Sequence, residues 1–193
     1  MAHFQKLFML LIGCKPSGRN TEQHDIFFGI GQNLSAVLTQ VSAWWPEAEN
    51  RIHIDAWREV RAVDGYSIHV MSRKHKPPLM TEQKLFFINL GGYKKNEFDE
   101  FHYKKLVVAP DLAGAIKIAK ETTFYKHTGF ENAPSHVDDK YGLDVDDAYE
   151  IEDILPLSLK HDFTLHVSPS DQESTDELHL GYFKFSKIVK DGL

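Results

Sequence analysis

Cysteine, excess positive charge and long apolar runs are all missing from this sequence. Cys14 is the single cysteine among 193 residues, so no disulfide can form within the chain. Acidic residues outnumber basic ones by 28 to 22, which gives a net charge of −6 and does not favour a nucleic-acid-binding protein. No apolar run approaches the roughly 20 residues that span a bilayer. We therefore expect a cytoplasmic protein that binds neither nucleic acid nor membrane.

The residues that are present are typical of a globular protein, with one exception. Hydrophobic residues make up 42% of the chain and charged residues 26%, and 193 residues suffice for one domain or two small ones. Histidine is unusually frequent, with 11 copies. Histidine side chains bind metals and transfer protons, so their positions are the first place to look for a site.

The segment KLFMLLIGC, residues 6–14, allows two interpretations. Leu11 to Cys14 resembles the cleavage motif of a bacterial lipoprotein, which would be cut before the cysteine. The apolar run from Leu7 to Ile12 has only six residues, shorter than the 7–15 that are usual in a signal peptide. We predict that the segment is a buried β-strand.

An internal repeat supports the strand. Shifting the chain by 78 residues aligns KLFMLLIGC with KLFFINLGG at residues 84–92, which lies mid-chain and cannot be a signal. Residues 6–38 give seven identities in 33 pairs without a gap. A match resumes at a shift of 83, where His53 aligns with His136 and Asp55 with Asp138. The agreement in order and spacing predicts a duplication.

The pattern of elements predicts an α+β fold with two similar ββαββ halves, related by a pseudo-twofold axis, and a C-terminal β-hairpin. Each half has an apolar strand, a second strand and an amphipathic helix, whose N-caps are predicted at Asn33 and Asp111. We expect one compact molecule with four segments: the first repeat at 1–72, a linker at 73–83, the second repeat at 84–155 and a C-terminal extension packed on the repeats at 156–193.

Two Glu-x-His pairs are the first candidates for a site. Glu22 and His24 in the first half correspond to Glu100 and His102 in the second. On a strand, residues two apart share a face, so a carboxylate and an imidazole would lie side by side. Such a pair can bind a metal or orient a general base, and Arg19 lies close enough in sequence to join the first pair. A structural hydrogen-bonded pair remains the alternative.

A second His-x-Asp pattern repeats the same spacing. His53 with Asp55, and His136 with Asp138, would also share a strand face. If the strands adjoin, these residues meet the Glu-x-His pairs, and the N and O donors would suit zinc, manganese or iron. No HExxH motif or cysteine pair supports a metal, so no cofactor is required by the sequence, although a divalent metal fits the donor types.

Several longer stretches resemble a known family. GCKPSGRNTEQHDIFFGIG, IHIDAWREV, KLFFINLGGY and AYEIEDILP are similar to the bacterial family catalogued as domain of unknown function 1543, over roughly residues 6–155. The family is described with one or two copies of its domain, which agrees with the repeat. The resemblance implies a bacterial, cytoplasmic protein, and it carries no known activity or catalytic residue.

The function expected from the sequence is therefore a non-catalytic binding or interaction protein, with any ligand site between the repeats. The alternative is a small hydrolase- or lyase-like enzyme that uses His24 and Glu22, with or without a metal. No nucleotide-binding loop, GxSxG motif or other complete catalytic motif is present. A homodimer is the expected oligomer, because twofold dimers are the commonest. The small-molecule ligand is not identified by the sequence.

Overall fold

The computed structural model describes residues 4–48, 51–74, 82–93, 96–121, 144–170 and 175–193. The chain divides into two compact units. Unit 1 consists of residues 1–80 and 154–193, and unit 2 of residues 81–153. Unit 1 therefore joins the predicted first repeat to the C-terminal extension. The predicted α+β class is confirmed, since both units combine antiparallel sheets with a few short helices.

The main sheet of unit 1 has four antiparallel strands. Their order across the sheet is β10-β3-β1-β2. Their bounds are Lys6–Cys14 for β1, Gln23–Gly31 for β2, His53–Glu59 for β3 and His179–Lys184 for β10. Strand β1 is central and pairs with β2 and β3 along most of its length.

The strand predicted from KLFMLLIGC is confirmed as β1. Its alternate residues Phe8, Leu10, Ile12 and Cys14 are buried in the core of unit 1. They pack against the apolar stripe predicted from the first helix, which includes Leu34, Val37, Leu38 and Val41. Burying each large aliphatic side chain contributes about 1.5–3 kcal/mol, which explains why this apolar run forms the centre of the sheet.

The first helix begins with a 3₁₀ turn, which the sequence does not predict. Asn33 accepts a hydrogen bond from the backbone N–H of Ala36 at 3.0 Å, as expected of a capping side chain. A 3₁₀ turn at Ser35–Val37 follows, and the α-helix α1 covers only Leu38–Trp44. The α-helix ends just before Pro46, which cannot continue it because proline lacks the backbone N–H.

A second sheet completes unit 1, with the order β4-β5-β9. Strand β4 is Ala62–Val63, β5 is Tyr66–Ser72 and β9 is Phe163–Pro169. Asp64 and Gly65 form the hairpin turn between β4 and β5, with φ values of 51° and 80°. Positive φ at both central positions is the requirement of a type I′ turn, which glycine and aspartate tolerate.

The sheet of unit 2 has three antiparallel strands in the order β7-β6-β8. Strand β6 is Lys84–Tyr93, β7 is Glu100–Ala109 and β8 is Asp144–Glu150. Helix α2, Leu112–Lys120, follows β7, and the predicted N-cap is confirmed because Asp111 accepts a hydrogen bond from Gly114 N–H at 2.7 Å. Ala115 and Ala119 on this helix are buried against the sheet.

The third strand of unit 2 differs from the sequence alignment at a shift of 83. Phe8 on β1 lies opposite Glu59, and Phe86 on β6 lies opposite Glu150. The third strands therefore correspond at a shift of 91, the difference between 150 and 59. The segment AYE is the end of β8, the third strand of this half, and the IEDI that follows forms the short helix α3, Ile151–Ile154.

The predicted C-terminal hairpin is wrong, because β9 and β10 do not pair with each other. Strand β9 pairs with β5, and β10 pairs with β3, so the two strands extend different sheets. Each covers a backbone edge that would otherwise be unpaired, and this satisfies more hydrogen-bonding groups than an isolated hairpin would. The short helix α4, Leu157–Asp162, immediately precedes β9.

The last residues form a helix rather than the end of a strand. Helix α5, Phe185–Asp191, ends at Gly192 with φ of 70° and buries Ile188 in the core of unit 1. Glycine is favoured at this position because it adopts the left-handed conformation without strain. Within the described ranges no helix has the length and apolar character needed to cross a membrane.

Candidate metal centre

One cross-strand row in the main sheet of unit 1 brings two histidines to the same face. Gly13 on the central strand β1 pairs with His24 on β2 and with His53 on β3. Directly opposed residues in antiparallel strands project to the same side of the sheet. Glu22 lies two residues before His24 and therefore shares this face.

A β-bulge adds the fourth side chain. Leu11 pairs with Ala56 and Ile12 with Ile54, which leaves Asp55 without a partner residue on β1. A bulge bends the strand and redirects the side chain of the extra residue. The carboxylate of Asp55 consequently reaches both histidines.

The four side chains form a compact cluster with short distances between unlike donors. His53 Nε2 lies 3.1 Å from Glu22 Oε1 and 3.3 Å from Asp55 Oδ1. His24 Nε2 lies 3.2 Å from Asp55 Oδ2 and 3.8 Å from Glu22 Oε2. Each carboxylate therefore faces both imidazoles, with one oxygen directed to each ring.

These close approaches are not hydrogen bonds at the buried end of the cluster. The His53 side chain is 4% exposed, and its Nε2 has no hydrogen-bond partner. Asp55 Oδ2 is also buried and has no hydrogen-bond partner. Leaving such polar atoms buried and unsatisfied costs about 1–3 kcal/mol each. A metal ion bound between the side chains would satisfy both atoms.

The distances fit the edges of a metal coordination polyhedron. Zinc binds histidine nitrogen and carboxylate oxygen at about 2.0–2.2 Å, which makes neighbouring ligand atoms of a tetrahedral site about 3.3–3.5 Å apart. Three of the four distances, from 3.1 to 3.3 Å, lie close to that separation. Glu22, His24 and His53 each place one donor atom within 4.8 Å of the others.

Gly13 supplies the space for the cluster. A Cβ atom at this position would lie 2.5 Å from His53 Nε2 and 2.7 Å from Asp55 Oδ2. Any larger residue at the centre of the row would therefore force these two donors apart. The sequence pattern gave no reason to include this glycine among the site residues, because its role depends on the strand register.

Tyr182 on β10 covers the buried histidine. Its ring stacks on the ring of His53 with a centroid distance of 4.2 Å and an interplanar angle of 30°. Strand β10 is fixed beside β3 by backbone pairing, and Asp176 just before it accepts hydrogen bonds from the N–H groups of Arg61 and Ala62 at 3.1 Å. Burial raises the pKa of Asp176. The C-terminal segment thus contributes a wall to the site, which sequence reasoning missed.

Unit 2 carries a similar cluster. His102 on β7 lies opposite Gly91 on β6, and its Nε2 lies 3.8 Å from Glu100 Oε2 and 3.3 Å from Asp146 Oδ2. Asp146 is the extra residue of a β-bulge in β8, which lies opposite Asn89 and Leu90 of β6. A Cβ atom on Gly91 would clash with the Asp146 carboxylate.

Of the three remaining predicted site residues, the structure describes one. Arg19 is exposed on the loop before β2, and His136 and Asp138 lie outside the described residues. Asp146, at a shift of 91 from Asp55, occupies the bulge position of the second cluster. The sequence alignment missed it because five inserted residues gave a better letter match than the thirteen that the strand register requires.

Comparison with known proteins supports the family resemblance and the fold. Residues 19–70 match the family model described as Domain of Unknown Function (DUF1543). This DUF1543 segment contains all four residues of the unit 1 cluster. The second copy expected in this chain stays a prediction.

A solved structure shows the same fold. The crystal structure of a protein Il1583 from Idiomarina loihiensis matches with a TM-score of 0.61 and 22% sequence identity, covering 94% of this chain and 97% of that chain. A search of curated proteins returned no match. At this level of identity the likeness concerns the fold alone.

Proposed function

We propose that this chain is a divalent-metal-binding protein and that its ion, for which zinc is the best fit, is held by Glu22, His24, His53 and Asp55. The observation that carries the proposal is the buried Nε2 of His53, which faces two carboxylate oxygens at 3.1 and 3.3 Å without a hydrogen bond to either. A metal ion would satisfy this nitrogen.

The donor types support a first-row transition metal. Imidazole nitrogen suits zinc, iron and nickel, whereas carboxylate oxygen alone favours magnesium, calcium and manganese. Two imidazoles and two carboxylates give a neutralised site for a dication, because the two negative charges balance the ion. The low exposure of His53 strengthens this attraction by excluding water from one side.

The chemistry of the rest of the cluster fits a binding role. The nearest cysteine in the sequence does not serve the site as a nucleophile: Cys14 follows Gly13, but its side chain points to the opposite, core face of β1. The ion would link strands β2 and β3 across Gly13, so its binding free energy would add to the stability of unit 1.

A hydrolytic function is the second candidate, and the exposure of two ligands favours it. The side chains of His24 and Glu22 are 44% and 43% exposed, so the ion would face solvent on that side. A water molecule bound to zinc loses a proton near neutral pH, and a carboxylate nearby can accept it. Zinc-loaded protein that hydrolyses p-nitrophenyl acetate at a rate that rises through neutral pH, with the activity lost when a chelator removes the zinc and retained in His161→Gln, would support this candidate.

Metal binding itself is tested by titrating the purified, chelator-treated full chain with zinc. Isothermal titration calorimetry measures the zinc affinity, and elemental analysis measures the amount of bound zinc. We expect stoichiometric zinc and a loss of affinity of about 100-fold or more in His24→Gln, since even outer-shell changes cost 10–100-fold. His161→Gln is the matched control, because this histidine lies on α4 with a side chain 85% exposed. Equal affinity in the wild type and His24→Gln would contradict the proposal.

A further inference from the structure

The cluster in unit 2 repeats the backbone arrangement of the first cluster with a different set of donors. In both sheets a histidine lies opposite a glycine of the central strand, and a glutamate precedes the histidine by two residues. In both sheets the strand on the other side of the central strand, β3 or β8, has a β-bulge, and the extra residue of that bulge is an aspartate. The two sheets correspond through the pairing register of their strands rather than through the sequence alignment.

The distances are also the same. The Glu–His and Asp–His separations are 3.8 and 3.2 Å around His24, and 3.8 and 3.3 Å around His102. Glu100, His102 and Asp146 each offer a donor atom, and these atoms lie within 4.8 Å of one another. Three donors from two strands therefore meet in a geometry that the proposed zinc site also uses.

The difference lies at the third position of the row. His53 pairs with Gly13 in unit 1, whereas Asp144 pairs with Gly91 in unit 2. Among the described residues, the second cluster therefore has one imidazole instead of two. Its donors are about as exposed as their counterparts: the side chain of His102 is 35% exposed and that of Asp146 29%, compared with 44% for His24 and 27% for Asp55. Within the described residues it has no counterpart of the buried His53, which is 4% exposed.

We infer that Glu100, His102 and Asp146 form a second metal site, which takes a hard divalent cation, Mn²⁺, and binds it more weakly than unit 1 binds zinc. One imidazole with two carboxylates is a predominantly oxygen donor set, which suits manganese better than zinc. The exposed side leaves room for water molecules to complete the coordination sphere, as is usual for hard cations. The inference extends the proposed function to unit 2.

The experiment is a titration of the chelator-treated full chain with Mn²⁺, in which electron paramagnetic resonance measures the free aqueous ion. Wild-type protein first saturated with one equivalent of zinc is expected to bind one Mn²⁺. His102→Ala and Asp146→Asn should each weaken this binding by about 100-fold, as the loss of a direct ligand exceeds the 10–100-fold cost of an outer-shell change. Glu121→Gln, an exposed carboxylate at the end of α2, is the control and should bind as the wild type does.

The variants separate failure of this inference from failure of the proposed function. His53→Ala removes a ligand of unit 1 only, so it should reduce zinc binding and leave Mn²⁺ binding at unit 2 unchanged. Mn²⁺ binding that is equal in the wild type, His102→Ala and Asp146→Asn would be adventitious and would overturn the second site. If one variant fails to fold by circular dichroism, the other still decides, because the two ligands lie on different strands.

Discussion

In the part of the chain that the structure describes, both sheets place a histidine, a glutamate and a bulged aspartate around a glycine, but only the sheet of unit 1 also has a buried second histidine. In unit 1 the row across the sheet reads His24, Gly13 and His53, and in unit 2 its counterpart reads His102, Gly91 and Asp144. The backbone that builds a cluster is thus common to both units. The side chain at a single position sets the number of nitrogen donors.

Burial follows the same difference. His53 is 4% exposed beneath the ring of Tyr182, which comes from a strand that unit 1 adds at the edge of its sheet. The described part of unit 2 has three strands in its sheet, with β8 at the edge where unit 1 continues to β10. An added strand therefore converts one cluster into a partly enclosed site.

Removing the second imidazole gives the largest expected effect. His53→Ala should reduce zinc affinity of unit 1 by about 100-fold or more, since the loss of a ligand exceeds the cost of an outer-shell change. Calorimetric titration of the variant measures this change. Unaltered zinc affinity would show that the second imidazole does not contribute to zinc binding, and it would contradict the difference inferred between the two clusters.

Filling the central glycine tests the shared backbone. In Gly13→Ala the new Cβ would lie 2.5 Å from His53 Nε2, so we expect zinc affinity to fall by about tenfold, at the low end of indirect effects on a metal site. The matched change Gly91→Ala should displace the Asp146 carboxylate and weaken Mn²⁺ instead. Zinc titration and Mn²⁺ resonance measure the two effects. Unchanged zinc binding in Gly13→Ala and unchanged Mn²⁺ binding in Gly91→Ala would show that the clusters do not need these glycines.

These expectations show where sequence reasoning succeeds and where it stops. The strands from KLFMLLIGC and KLFFINLGG, the cap at Asp111 and the turn at Asp64 were all predictable, because apolar runs, capping residues and turn residues act locally. The convergence of Glu22 and His24 with His53 and Asp55 was a conditional hypothesis, since it required β2 and β3 to flank the same strand.

The rest depends on long-range pairing. The role of Asp146 follows from a bulge in β8, and the cover by Tyr182 follows from β10 joining β3 across more than a hundred residues of chain. FSKI in the tail reads as a strand by its apolar alternation, but Ile188 completes the core from a helix. Local patterns carry no information about which sheet edge a late segment will cover.

One substitution converts the cross-strand row of unit 2 into the row found in unit 1. Asp144→His places a second imidazole opposite Gly91, at the register position of His53. We expect zinc affinity of unit 2 to rise by about tenfold, equivalent to about 1.4 kcal/mol, because imidazole suits zinc. Zinc titration of Asp144→His in a His53→Ala background isolates this effect. A gain no larger than that of Asp144→Asn would argue against the equivalence of the two positions.

The smallest effect concerns the aromatic cover. Tyr182→Leu removes the ring stacked on His53, and aromatic stacking of about 0.5–1.5 kcal/mol corresponds to a reduction of about 2–10-fold in zinc affinity. Leu180→Ala on the same strand is the control, since Leu180 is 73% exposed. Equal affinities in the two variants would show that Tyr182 shields the histidine without holding it.

The most direct measurement is X-ray absorption at the zinc edge of the wild-type protein loaded with one equivalent of zinc. We expect a first shell of nitrogen and oxygen at about 2.0–2.2 Å and outer-shell scattering from two imidazoles, falling to one in His53→Ala. A shell of oxygen atoms without imidazole scattering, or zinc that is lost on gel filtration, would contradict the central claim.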